Sequence, residues 1–289
     1  MNHTFTLTRR SFALATFGAA IGVISFGLPA LAADSASELP IAAQMYTLRD
    51  AGTLDEQFAI LNRAGVSNIE TVDMQKTTAD DLKALLDKHK LKVISSHVPI
   101  ARLREELDTV ITEQKSVGNT MVTMPYLLPE QRPTDAKGWE AFGKELGGYA
   151  DKLKAAGLGM AYHNHDFELA QFDGKTALEI VLDAAGPNLL SELDVAWVSR
   201  AGLDPAEYLN RISGRVFAIH AKDNAPAGTA EKEKGFAIIG TGVIDWSKVL
   251  PAAKKAGAKW YILEHDMPLN AEDVMTKGNA YLKAQLPRL

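Results

Sequence analysis

No cysteine occurs anywhere in the 289-residue chain. Disulfides, thiolate-held metals, a cysteine nucleophile and lipid attachment through cysteine are therefore excluded. Charge of one sign is also scarce. The 31 Lys+Arg stand against 36 Asp+Glu, a net of −5, so nucleic acid is not a partner this surface is built for. Long apolar runs are missing apart from Ala13–Leu28, whose 16 residues include three glycines and fall short of a membrane span. No Gly-x-Gly-x-x-Gly follows the first strand pattern, which argues against a dinucleotide-binding fold. What remains is the composition of a globular protein with a sizeable core, 46% hydrophobic and 23% charged. Disorder, collagen and multi-span membrane folds are excluded.

The start of the chain has the pattern of an export signal. Thr8-Arg9-Arg10-Ser11-Phe12 is a twin-arginine sequence, the apolar run follows it, and Ala30-Leu31-Ala32 offers a small-x-small cleavage site. Residues 1–32 are expected to be a twin-arginine signal peptide that is removed. The mature protein, residues 33–289, would be periplasmic or secreted, with no stable membrane anchor after cleavage.

That remainder has the size of one (β/α)8 barrel. Strand patterns at Ile41–Tyr46, Ser67–Val72, Lys92–His97, Thr120–Met124, Gly159–His163, Leu189–Asp194, Val216–Ala221 and Trp260–Glu264 alternate with amphipathic helical stretches. Thr53–Ala64, Thr78–His89 and Asp204–Ile212 each open on a good N-cap, and Ala271–Gln285 is the last helix. The expectation is eight strands, eight helices and a parallel sheet, an α/β fold closed as a single TIM barrel, with a doubly wound sheet as the alternative. Ala-Gly pairs at Ala64-Gly65, Ala156-Gly157 and Ala256-Gly257 recur before strands two, five and eight, where a left-handed glycine ends a helix.

In such a barrel, chemistry sits at the carboxyl ends of the strands. Five of the seven histidines, His97, His163, His165, His220 and His265, fall there; His3 lies in the signal and His89 near a helix end. One inward residue from each of strands five to eight gives His163, Asp194, His220 and Glu264. Singly, each has a plain structural reading: Asp194 as a helix N-cap, Glu264 in a loop ion pair, His220 as a hydrogen-bonded polar residue. Together, two carboxylates at one buried point call for a cation. Two imidazoles and two carboxylates suit one divalent ion of Mn, Co, Zn, Fe or Ni, and Mg less well.

Five segments carry a family resemblance. They are Gln44-Met45-Tyr46-Thr47-Leu48-Arg49, Tyr162-His163-Asn164-His165-Asp166-Phe167-Glu168, Glu192-Leu193-Asp194 with Trp197, His220-Ala221-Lys222-Asp223 with Gly240-Thr241-Gly242-Val243-Ile244-Asp245-Trp246, and Glu264-His265-Asp266. With them the chain resembles the sugar phosphate isomerase/epimerase family of xylose-isomerase-like barrels, including a subgroup with 3-keto-glycoside lyases and hydratases. The resemblance implies a metal held by Asp194, His220 and Glu264, with His163 standing where a glutamate is usual. Trp197 stands where many members carry histidine.

By that resemblance the protein is a metal-dependent sugar isomerase or epimerase. It would act on an unphosphorylated sugar or keto-sugar by proton abstraction beside a metal-bound carbonyl, through an enediolate. Replacement of the usual glutamate by His163 breaks the symmetric two-carboxylate arrangement of an epimerase. The alternative is a lyase or hydratase on a 3-keto-glycoside; a third reading is a sugar-binding barrel without catalysis. Glu264 is the expected base. Lys222 and His97 are catalytic candidates, Lys222 reading either as a stabiliser of the enediolate or as a solvated loop charge. His165, Trp197, Glu70 and Trp246 are the candidates for holding the sugar; Glu70 and Trp246 read equally as barrel packing.

Overall fold

The structure is a computed structural model that describes Met1 and residues 39–289. The signal-peptide reading falls on residues 2–32 and lies outside the described residues. Residues Leu39–Leu289 form one compact unit.

Eight parallel strands close into a barrel: β1 (Ile41–Gln44), β2 (Asn68–Val72), β3 (Lys92–His97), β4 (Met121–Met124), β5 (Gly159–His163), β6 (Leu189–Asp194), β7 (Val216–Ala221) and β8 (Trp260–Leu263). Each pairs with its sequence neighbours, and β1 pairs with β8 to close the ring. The barrel supersedes the doubly wound alternative. β1 stops two residues earlier than the sequence pattern suggests. The Gln44 side chain accepts from the Tyr46 amide at 2.9 Å and turns Met45–Leu48 into a single 3-10 turn.

Ten α-helices cover the outside among the described residues, not eight. They are α1 (Leu54–Ala64), α2 (Ala79–His89), α3 (Ile100–Glu105), α4 (Leu107–Ser116), α5 (Ala136–Ala155), α6 (Ala177–Ala185), α7 (Val195–Arg200), α8 (Pro205–Arg211), α9 (Trp246–Ala256) and α10 (Ala271–Gln285). The crossovers after β3 and β6 each divide into two short helices. Glu106 breaks the first pair at φ −138°. Asp204 and Pro205 restart the second, with Asp204 accepting from the Ala206 and Glu207 amides. Thr53 and Thr78 cap α1 and α2 as their sequences suggest, and Thr176 caps α6. The three repeated Ala-Gly sites do hold left-handed glycines, at φ 69°, 84° and 103°. No described helix is long and apolar enough to cross a membrane.

Two cores result. The larger fills the space between strands and helices. A small plug inside the barrel, built from Ala42, Ile94, Met121, Ala161, Phe217, Ala218 and Ile262, closes its amino-terminal end. Above the plug the inward positions turn polar. Counting by two along the strands gives Gln44, Glu70, Thr123, His163, Glu192, Asp194, His220, Lys222 and Glu264, all buried. The register shifts at the two points where inner carboxylates enter, between Ile69 and Glu70 and between Ser191 and Glu192. Such irregularities re-aim side chains beside active sites.

Candidate active site and metal centre

His220, on β7, joins two clusters through its two ring nitrogens. Its Nδ1 side faces Glu264 Oε2 at 3.2 Å and Asp194 Oδ2 at 4.0 Å. Ligand atoms of Asp194, His220 and Glu264 lie within 4.8 Å of one another. Its Nε2 faces Glu70 Oε1 at 2.8 Å and Glu192 Oε1 at 3.0 Å. Ligand atoms of His97, His163, Glu192 and His220 form the second, inner group, also within 4.8 Å. The single four-residue shell expected from the sequence is thus divided: His163 falls with the inner group, its Nδ1 3.4 Å from Glu192 Oε1.

Asp194 realises both of its sequence readings at once. Oδ1 accepts from the Ala196 and Trp197 amides at 2.9 and 3.1 Å and caps α7. Oδ2 is left for the site. Asn164 fixes this corner by accepting from the Asp194 amide at 3.0 Å.

Twelve buried side-chain polar atoms among the described residues have no hydrogen-bond partner, and His163 Nδ1, Asp194 Oδ2, His220 Nδ1 and Glu264 Oε2 are four of them. Unpaired buried polar atoms are costly. Asp194, His220 and Glu264 bring one nitrogen and two carboxylate oxygens close enough to share a divalent transition metal, and His163 stands in the adjoining group that shares His220. The residues present fit a metal.

Lys222 is the other occupant of this corner. Its ammonium donates to Asp266 Oδ2 at 2.7 Å and stands 2.7 Å from both Asp194 Oδ2 and Glu264 Oε2, without hydrogen-bond alignment to those two. It is fully buried and does not line the cavity, which corrects the solvated-loop reading.

The electrostatics follow from this packing. Burial opposes the charged form of every group here. For Glu264, Lys222 and His220 outweigh burial and hold the carboxyl well below its usual range. Asp194 is pushed up to about 6, burial winning over Lys222. His163 is driven down by burial and by His220, leaving the neutral imidazole that a metal requires. Burial also opposes the imidazolium of His97, but Glu70 and Glu192 raise it to about 9. His165 falls to about 3, through burial and then Lys222.

A cavity of about 310 Å³ opens above these groups, lined by Tyr46, His97, Tyr126, His163, His165 and Glu264 among others. Two expected sugar contacts are elsewhere. Glu70 is fully buried behind His97 and His220 and receives a 2.7 Å bond from Gln44 Nε2; it orients imidazoles. Trp246 is buried at the start of α9, and its indole N–H donates to Asp223 Oδ2 at 2.8 Å. Asp223 also accepts from the amides of Asn224, Gly240, Gly242 and Ile244, so the whole Gly240–Trp246 motif is a clasp around one carboxylate. A Cβ on Gly242 would meet the Asn224 carbonyl at 2.1 Å. Trp197 stands behind His165, ring centres 5.3 Å apart, with its indole nitrogen buried and unpartnered.

Glu168 explains the rest of the β5 motif: it accepts from the Tyr162 hydroxyl at 2.7 Å and the His165 amide at 2.8 Å, holding His165 at the mouth. Glu192, Asp266, Tyr46 and Tyr126 were not singled out by sequence reasoning. Glu192 and Asp266 lie two residues from Asp194 and Glu264, so the period-2 count along the strands carries their signal.

Known proteins agree with this architecture. The chain is similar to the inosose dehydratase of Geobacillus kaustophilus, 26% identical over 201 residues that cover 61% of this chain and 64% of that one. It spans less than two thirds of the length of the curated relatives it matches. In fold it is similar to a sugar phosphate isomerase/epimerase from Parabacteroides distasonis, with a TM-score of 0.70, 20% identity, and coverage of 89% of this chain and 99% of the other. The IOLI protein, whose structure holds a zinc atom, has a TM-score of 0.68 at 17% identity, covering 87% and 99%. Residues 58–285 match the family described as xylose isomerase-like TIM barrels. With the closed barrel and the histidine–carboxylate clusters at its carboxyl end, the match makes the chain a member of the xylose isomerase-like TIM barrel family.

Proposed function

We propose that the protein is a divalent-metal-dependent enzyme acting on an unphosphorylated keto-sugar or keto-glycoside, removing the proton beside the carbonyl and expelling a group from the neighbouring carbon. One observation carries the reading. The cavity presents the carboxylate of Glu264 together with the imidazoles of His97, His163 and His165, so base and acid are unlike groups. An epimerase works with one base on each face of a single carbon. Elimination needs one base and one acid. The inosose dehydratase relative, named for the removal of water, supports the same chemistry.

A bound divalent ion, Mn, Co, Zn, Fe or Ni, would polarise the carbonyl and acidify the adjacent C–H. His163, Asp194, His220 and Glu264 are the residues proposed to hold it. Glu264 is ionised by its neighbours and takes the proton with the carboxylate oxygen not turned to Lys222. His97 lines the same cavity, and its Nε2 is fixed at 2.8 Å from Glu192 Oε1, which orients the ring for proton delivery to the leaving group. Lys222 keeps Asp194, Glu264 and Asp266 together against their mutual repulsion. His165, which lines the cavity, would meet a sugar hydroxyl, and Trp197 would back its ring. Isomerisation is the second reading, because Glu264 alone can carry a proton between adjacent carbons. Export by the twin-arginine route would place the enzyme where phosphorylated sugars are scarce.

The test is incubation of metal-loaded protein with keto-sugars and 3-keto-glycosides, with and without EDTA, followed by product mass. Cleavage that stops in EDTA supports the proposal. A product of unchanged mass selects isomerisation, and full turnover in EDTA refutes metal dependence.

A further inference from the structure

Glu70, His97, Glu192 and His220 come from β2, β3, β6 and β7 and meet inside the barrel, on the side of His220 turned away from Asp194 and Glu264. Their nearest atoms form a closed ring. His97 Nε2 lies 2.8 Å from Glu192 Oε1 and 3.1 Å from Glu70 Oε1. His220 Nε2 lies 3.0 Å and 2.8 Å from the same two oxygens. Glu70, Glu192 and His220 are fully buried, and His97 is 7% exposed.

Hydrogen bonding accounts for half of this ring. Each Nε2 carries at most one hydrogen, so two hydrogens face four contacts. They serve the 2.8 Å pairs, His97 with Glu192 and His220 with Glu70. The contacts at 3.0 and 3.1 Å are left without one. On Glu70 the imbalance is larger: Oε1 also accepts from Gln44 Nε2 at 2.7 Å, whereas Oε2 is buried and has no partner. His163 Nδ1, buried and unpartnered, stands 3.4 Å from Glu192 Oε1 at the border with the outer group. Two buried carboxylates turned to one point favour a cation between them.

The dimensions fit an ion. Nitrogen and oxygen ligands about 2.0–2.1 Å from zinc and about 90–109° apart stand about 2.9–3.4 Å from one another. The four ring contacts run from 2.8 to 3.1 Å. Thr123 Oγ1 donates to Glu192 Oε2 at 3.2 Å and Gln44 holds Glu70, the outer bonds that fix carboxylate ligands. The strand register shifts where Glu70 and Glu192 enter, which aims both side chains at this point. His97 lines the 310 Å³ cavity and gives an ion a way in.

We infer that this inner group holds a second divalent transition metal, bound by Glu70, His97, Glu192 and His220 and joined to the outer ion through the two nitrogens of His220. Two imidazoles and two carboxylates select a zinc-like ion over Mg or Ca. Binding releases the Nε2 protons of His97 and His220 to solvent, so with both ions present His220 is an imidazolate bridge. The inference concerns the ion content of the barrel and does not depend on the reaction proposed above.

The test is zinc content. Metal-free protein is saturated with Zn²⁺, freed of excess by gel filtration and analysed for metal. The parent should hold two ions per chain. Glu192→Gln and His97→Gln should hold one, the inner ion being weakened by at least about tenfold in chelator competition. With Cu²⁺ in place of zinc, EPR of the parent should show two coppers coupled through one imidazolate, and either variant the uncoupled signal of a single copper. A parent without zinc, or any zinc count that both variants leave unchanged, overturns the inference. One zinc in the parent that both variants lose refutes the outer site and leaves the inner one standing. Two zinc ions with no turnover of any keto-sugar refutes the proposed reaction and leaves both sites standing.

Discussion

Lys222→Met probes the balance of charge at the heart of the site. The substitution keeps the length of the side chain and removes a buried ammonium that stands 2.7 Å from three carboxylates, those of Asp194, Glu264 and Asp266. Breaking a buried ion pair from one side costs about 3–5 kcal/mol, because the opposite charge stays buried and uncompensated. For a domain of this size each kcal/mol lowers Tm by about 2–4 °C, so the metal-free variant should melt roughly 6–20 °C below the parent. Metal should reverse much of this, since a divalent cation replaces the lost positive charge. In the parent the ammonium and the cation share Asp194 and Glu264, so added metal should raise Tm less. The assay is thermal unfolding of both proteins in EDTA and in a series of Mn²⁺ and Zn²⁺ concentrations. If the variant melts within about 2 °C of the parent in EDTA, Lys222 is not the counter-charge described here. If metal shifts both proteins equally, the ammonium and the metal do not share ligands.

Other perturbations follow from the same geometry. His163→Ala should weaken metal binding by at least about tenfold in a chelator competition; unchanged affinity would remove His163 from the ligand set. Trp246→Phe deletes one donor to the buried Asp223 carboxylate and should cost about 1.5–3 kcal/mol in urea unfolding while leaving KM unchanged; a raised KM at unchanged stability would restore the sugar-stacking role. Burial raises the Glu168 carboxyl from 4.5 to about 7, against its bonds from Tyr162 and His165. The folded state therefore keeps a proton that the unfolded state loses, and stability should fall as pH rises from 4.5 through 7. Glu168→Gln should remove that part of the slope, and identical pH profiles for parent and variant would contradict it.

The barrel was legible because its signals are local. Alternating strands, Thr caps and Ala-Gly helix ends each act within a few residues, and the strand patterns matched to within two residues at their ends. The divided helices after β3 and β6 were less visible, since Glu106 is a weak breaker and the split depends on packing. At the site, His163, Asp194, His220 and Glu264 could be found because each stands at or next to a strand end. Glu192 escaped because one inward residue was taken per strand, whereas the barrel interior is filled in layers two residues apart. The burial of Lys222, against its reading as a solvated loop charge, has the same origin: two residues beyond His220, it continues the inward face. The role of Trp246 depends on Asp223, 23 residues away, and no pattern along the chain reports that contact. The cavity gathers Tyr46, His97, Tyr126, His165 and Glu264 from the ends of β1, β3, β4, β5 and β8, which meet only when the barrel closes.

The central claim is that Glu264 takes a proton from the carbon beside a metal-polarised carbonyl. Deuterium uptake at that carbon, followed by NMR in D₂O with metal-loaded protein and a 3-keto-glycoside, tests it most directly. The parent should exchange or eliminate with loss of that hydrogen, and Glu264→Gln, still binding metal, should be slower by about 10²-fold or more. Exchange at the parent rate in a metal-loaded Glu264→Gln protein would contradict the account and place the base elsewhere in the cavity.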